Sequence, residues 1–155
     1  MENLKRLYIF TGKGGVGKTP ISYNIARDHG WGIATNETYH VLDHVMPEED
    51  VLVVPPNEEF PDLPSEMDVV FDLGGAIGAD SAPSILSAVR MADLVLVPVE
   101  NEYKAINGAF HSITEILPHN QNIVIVVTKL EKRRGEIFNS WSRSADFQEV
   151  VKLLT

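Results

Sequence analysis

Cysteine is missing from all 155 residues, which excludes a disulfide scaffold, a thiolate zinc ribbon and a thiol nucleophile. Long apolar runs are missing as well. The longest, Val51–Val54 and Ile123–Val127, fall far short of the ~18 residues that mark a membrane-spanning helix. The first residues, Met1-Glu-Asn-Leu-Lys-Arg-Leu-Tyr, carry neither the apolar stretch nor the small-residue cleavage site of a signal peptide, so a cytoplasmic chain is expected. Positive charge is absent from one whole stretch: between Asn36 and Asp68 there are ten acids and no Lys or Arg. The rest of the chain is nearly balanced, so the net charge of −9 argues against indiscriminate nucleic-acid binding but leaves room for a local basic face.

What is present reads as one globular domain over residues 1–155. Hydrophobic residues make up 44% and charged residues 23%, an ordinary globular balance, and the length supports a continuous core. Short runs rich in β-branched residues alternate with segments of helical length. The runs are Leu7–Thr11, Gly32–Thr35, Val51–Val54, Val69–Asp72, Leu94–Val99 and Ile123–Thr128. They are nearly all apolar, as strands covered on both faces are. Helices are expected at Lys18–Asp28, Thr38–Val45, Ala82–Met91, Lys104–Leu117 and Gly135–Leu154, with a proline-rich loop from Pro55 to Pro64. The fold class that follows is α/β: a doubly wound, mainly parallel sheet of about six strands with helices on both faces.

The string Gly12-Lys13-Gly14-Gly15-Val16-Gly17-Lys18-Thr19 sits between the first strand and the first helix and fits the phosphate-loop pattern G-x-x-x-x-G-K-[ST]. Glycines let successive backbone N–H groups turn inward around an anion, and the helix start adds its partial positive charge. Lys18 is placed to reach the β- and γ-phosphates of ATP, and the Thr19 hydroxyl to hold Mg²⁺.

With Lys13 included, the string resembles the deviant Walker A motif of the ParA/MinD family of P-loop ATPases. The resemblance implies a homodimer closed around ATP, with Lys13 reaching the partner's nucleotide, and a cycle of hydrolysis that segregates DNA or positions large assemblies. Plasmid partition or a conjugation-associated role, with a DNA-bound or scaffold adaptor, is the specific expectation. Asp68-Val-Val-Phe-Asp-Leu-Gly-Gly looks like the family's Walker B strand and the start of its second switch. By that resemblance Asp72 binds Mg²⁺ through water, and Gly74 and Gly75 leave space near the γ-phosphate. Ala92–Glu100 looks like the strand and loop after that switch, and Val126-Val-Thr128-Lys129 stands where the family often has a base-contacting turn.

Two positions depart from the family pattern. The second strand normally ends in an aspartate pair whose first member positions the attacking water; here the chain reads Ala34-Thr35-Asn36-Glu37. Glu37, Asn36 and Asp43 are the available substitutes, and slow hydrolysis is expected, since a lost water-orienting group commonly costs about 10²–10⁴ in rate. Pro20 lacks the N–H that such proteins offer the α-phosphate, although proline is welcome in a first helical turn.

Three further features bear on function. His40 and His44, with Asp43 between them, have the spacing of a two-histidine metal site on a helix, which keeps a metallochaperone-type NTPase as a rival beside a nucleotide switch with negligible hydrolysis. Lys132, Arg133, Arg134 and Arg143 lie near Phe138 and Trp141 and suit weak, non-specific contact with DNA phosphates. The apolar stripe at Phe147, Val150, Val151 and Leu154 is flanked by Asp146 and Glu149, a charge that suits packing on the sheet better than binding a membrane.

Overall fold

The structure, a computed structural model, describes residues 6–9, 18–38, 40–74 and 77–128. The element order is β1 (Arg6–Ile9), α1 (Lys18–His29), β2 (Gly32–Thr35), β3 (Val51–Val53), β4 (Val69–Asp72), α2 (Ala82–Met91), β5 (Leu94–Glu100), α3 (Tyr103–Ile116) and β6 (Ile123–Thr128). The six strands form one sheet in the order β3-β2-β4-β1-β5-β6, and every pairing is parallel. The expected doubly wound sheet is thus the observed one, and β2, β4, β6 and α2 have the bounds read from the sequence.

Alternation explains the unbroken apolar strands. Phe71, Val95, Val97 and Val99 enter one core with Ile85, Ala88 and Val89 of α2 and Ala105, Ile106, Ala109 and Ile113 of α3. Val70, Leu94 and Leu96 face the other way and pack with Ala26 of α1, Ile33 and Leu42. Each strand therefore needs apolar residues at both parities. The α1 helix lies close to the sheet because its inward stripe is Lys18, Ser22 and Ala26. It stops at Gly30, whose φ of 68° provides the left-handed turn that lets the Trp31 N–H return to the Ala26 carbonyl at 2.8 Å.

The segment Thr38–Val45 corrects the helix expected there. Only a 3₁₀ turn, Leu42–His44, forms, followed by another at Glu48–Asp50. Helical length alone is misleading here: Leu42 is fully buried, but Val41 and Val45 are 64% and 51% exposed, so no stripe faces the core. The proline-rich stretch runs without regular structure, as expected. It is anchored by Phe60, whose ring meets the edge of Phe71 at 5.2 Å and whose N–H donates to Ser87 Oγ at 2.9 Å. The helix expected at Gly135–Leu154, and the stripe within it, lie outside the described residues. Among the described residues no helix is long and apolar enough to cross a membrane.

Candidate functional site

Parallel strands put all their carboxyl ends on one edge of the sheet. The connection from β1 leaves toward β2, whereas the one from β4 leaves toward β5, so the strand order reverses between β1 and β4. A crevice at that point is where open α/β sheets take their ligands. Asp72 ends β4 there, in register with Ile9 of β1 on one side and Thr35 of β2 on the other.

Asp72 is 3% exposed. Burial is the strongest influence on its carboxyl and pushes it above the ordinary carboxylate range; hydrogen bonds from Thr19 and Ser22 and the charges of Lys18 and His40 pull it back without reversing the shift. Lys18, the first residue of α1, is itself 8% exposed. The Ser22 hydroxyl also reaches the Lys18 carbonyl at 3.0 Å, and its single proton serves one acceptor at a time. The sequence-predicted trio of Lys18, Thr19 and Asp72 is therefore one cluster. Its oxygen donors suit a hard cation such as Mg²⁺, and a divalent charge beside Asp72 would offset the desolvation that raises its pKa.

A second group of residues forms the rim. The Gly74 N–H donates to Asn36 Oδ1 at 2.8 Å, and Asn36 Nδ2 donates to Ser84 Oγ at 3.0 Å and, weakly, to the Gly74 carbonyl at 3.5 Å. Asn36 is 2% exposed and acts as a tie between the end of β2, the residues after β4, and α2. As a candidate for holding a water, it already spends its amide on the protein. Glu37 is half-buried, with its N–H on Thr35 Oγ1 at 3.1 Å. Its carboxylate lies over Gly74 so closely that a Cβ there would collide with it. Glu37 and Gly74 are thus neighbours at the site. Pro20 occupies the exposed side of the first turn of α1, where its missing N–H interrupts no helical bond.

Thr128 ends β6 on the same edge, its hydroxyl donating to the Val99 carbonyl at 3.4 Å. It stands three strands from Asp72, about 14 Å at ~4.8 Å per strand, and does not join the cluster. Gly12, Lys13, Gly14, Gly15, Val16, Gly17, Gly75 and Lys129 lie outside the described residues, as do Lys132, Arg133, Arg134 and Arg143.

The histidine pair does not come together. The His40 side chain is 4% exposed, whereas His44 is on the surface, and the turn between them is too short to stack them on one helical face. Among the described residues no three His, Cys, Asp or Glu side chains converge as a metal site. What the sequence reading missed is the burial of the His40 side chain, next to a turn whose Leu42 is fully buried. No sequence signal marked it, because its position depends on the path of an irregular loop.

No protein-family profile matches the chain, and no curated protein does. Solved structures do. The MinD cell division protein of Aquifex aeolicus is similar over 97% of this chain and 78% of its own, at 18% identity and a TM-score of 0.56. The MinC:MinD cell division protein complex of the same organism is similar over 97% and 77%, at 17% identity and 0.54. A plasmid partition protein from Borrelia burgdorferi is similar over 94% and 88%, at 12% identity and 0.58. What the chain shares with all three is its fold.

Proposed function

Proceeding from a chain that carries the fold of the ParA/MinD P-loop ATPases, we propose that it binds ATP–Mg²⁺ at the β1/β4 crevice, dimerises on binding and is released by slow hydrolysis. The observation that carries this reading is Asp72, buried, bonded to Thr19 and acted on by Lys18, the two residues that directly follow the glycine string Gly12–Gly17. Backbone N–H groups of Gly12, Gly14, Gly15, Val16 and Gly17 cradle the phosphates, and the Lys18 ammonium reaches the β- and γ-oxygens. Thr19 and Asp72 hold Mg²⁺, which when bound neutralises charge on the phosphate oxygens. Gly74 and Gly75 keep side chains away from the γ-phosphate, and Glu37 orients the attacking water. Thr128 and Lys129 are assigned to the base. Lys13 of each copy reaches the nucleotide of the other.

The cycle suits DNA partition or the positioning of an assembly in the cytoplasm, with a DNA-bound or scaffold adaptor protein. A similar solved structure that is a plasmid partition protein supports the partition role, and another that is a MinC:MinD complex supports a partner protein. Non-specific contact with DNA falls to Lys132, Arg133, Arg134 and Arg143. The test is solution mass by light scattering without nucleotide, with ADP–Mg²⁺ and with ATP–Mg²⁺, for the wild type and Lys13→Ala. An ATP-specific dimer that Lys13→Ala abolishes is expected. A monomer in every state would remove the dimer cycle, while a parallel nucleotide titration reports binding separately.

A nucleotide switch with negligible hydrolysis is favoured by one observation. Asn36 is occupied by Gly74 and Ser84, which leaves fewer groups to orient a water. Single-turnover kinetics separate the two readings.

A further inference from the structure

We propose that a groove at the amino-terminal edge of the sheet docks a short basic segment of a partner protein, one large apolar side chain flanked by lysine or arginine. The groove lies between the second half of α1 and the turn before β3, and its lining includes Tyr23, Arg27, Trp31, Val45, Met46 and Asp50. Trp31 directly precedes β2 and Asp50 directly precedes β3. In this parallel sheet they stand at the edge opposite Asp72, which ends β4. The inference is therefore independent of the nucleotide-binding reading.

Both walls are fixed by the backbone. The left-handed turn at Gly30 returns the Trp31 N–H to the Ala26 carbonyl at 2.8 Å, and the Trp31 ring lies 5.2 Å from that of His29. On the other wall the Val45 and Met46 N–H groups donate to the Leu42 carbonyl at 3.0 and 2.9 Å, and the Asp50 N–H to the Pro47 carbonyl at 3.0 Å. Beneath them the chains approach closely: a Cβ on Gly32 would stand 3.2 Å from the Asp50 carbonyl oxygen. A groove held this way needs little ordering when it is filled.

The chemistry of the walls selects the occupant. A lone exposed valine is ordinary, but Val45 is 51% exposed in a groove it shares with two aromatic rings and a methionine, which marks a contact surface. Its volume of about 240 Å³ is below the ~300–1,000 Å³ of small-molecule sites and suits a single anchoring side chain. The cation in the lining is already engaged. Arg27 donates twice to Asp28 Oδ1, at 3.0 and 2.8 Å, and lies 5.7 Å from the centroid of the Tyr23 ring. Asp50 and the adjacent Glu48 and Glu49 are exposed and form no ion pair among the described residues. Between Asn36 and Asp68 the sequence offers no Lys or Arg to answer them, so the complementary charge comes from the occupant. Protection of the β3 edge accounts for the acids but not for the groove.

The probe is a library of capped heptapeptides with Leu, Phe or Trp at the centre and Lys, Glu or Gly at the flanking positions. It is screened against the full chain by fluorescence polarisation without nucleotide, so its failure and that of the nucleotide reading are separate. The best peptide is then titrated onto the wild type, Val45→Glu and the triple variant Glu48→Lys, Glu49→Lys, Asp50→Lys. Lys-flanked peptides are expected to bind the wild type, and more weakly as salt rises. Val45→Glu weakens them about 10-fold or more. The triple variant loses them and takes up the Glu-flanked peptides instead, a gain that a misfolded chain cannot produce. The proposal is overturned if no peptide binds, if Glu- or Gly-flanked peptides bind the wild type as well as Lys-flanked ones, or if the variants change nothing. A synthetic peptide of residues 129–143, the chain's own basic stretch, is titrated alongside. If it displaces every library peptide, the occupant is the chain itself and the partner proposal falls.

Discussion

A carboxylate that is 3% exposed at a strand end stays charged only through its neighbours, and at Asp72 burial outweighs them. With the pKa raised in the folded chain, folding favours the protonated form. That contribution is fully present below the ordinary aspartate pKa of ~3.9 and fades as the pH climbs through the raised value. Asp72→Asn stays neutral throughout, so the nucleotide-free variant melts above the wild type at neutral pH, and the gap closes toward about pH 4. With ATP–Mg²⁺ the order reverses, because only the wild type is stabilised by ligand. Thermal melts across pH, with and without nucleotide, check both signs. At Gly74 the prediction concerns a neighbour. Gly74→Ala drives the Glu37 carboxylate off its seat, and because that side chain is flexible the stability cost stays within about 0.5 kcal/mol. Hydrolysis falls as far as in Glu37→Ala, and the double variant loses no more than either single one; additive losses would refute the coupling. At this scale Lys18, Thr19 and Asp72 were legible because a glycine string and a strand-ending aspartate carry their chemistry in local order. Asn36 and His40 were not, because burial decided their roles: one spends its amide on Gly74, and the other turns inward, away from His44.

Among the elements, α1 carries a proline in its first turn that the helix tolerates. Pro20 sits in the first turn, where the N–H is unbonded within the helix, so under the proposed nucleotide reading the missing donor would cost binding rather than folding. Pro20→Ala is expected to tighten ATP–Mg²⁺ binding by about 10- to 150-fold, the range of one hydrogen bond to a charged group, with little change in melting temperature. A nucleotide titration showing equal or weaker affinity would reject it. Legibility differed sharply between elements. The strands announced themselves because both faces are packed, so β2, β4 and β6 read as uninterrupted apolar runs. The stretch from Thr38 to Val45 read as a helix because it has helical length between two strand runs. Only Leu42 and Met46 pack against the core, and Pro47, which opens the next turn, helps keep the segment short.

Across the whole molecule the two edges of the sheet differ in character. β3, at one edge, is three residues long, with Leu52 and Val53 partly open to solvent. Exposed Glu48, Glu49 and Asp50 lead into it, a charge placement that discourages another strand from adding there. Three of the ten acids between residues 36 and 68 therefore stand at one edge, while β6 is the opposite edge strand among the described residues. The same strand order also acts in time. Among the described residues no two sequence-adjacent strands pair except β2 with β3 and β5 with β6, and the neighbours of β1 are β4 and β5. As the chain emerges from a ribosome, β1 waits unpaired until β4 has followed it out. The residue that completes β4 is Asp72. The arrival that first gives β1 a partner also delivers the carboxylate to the crevice, so the site cannot be assembled ahead of the sheet that supports it.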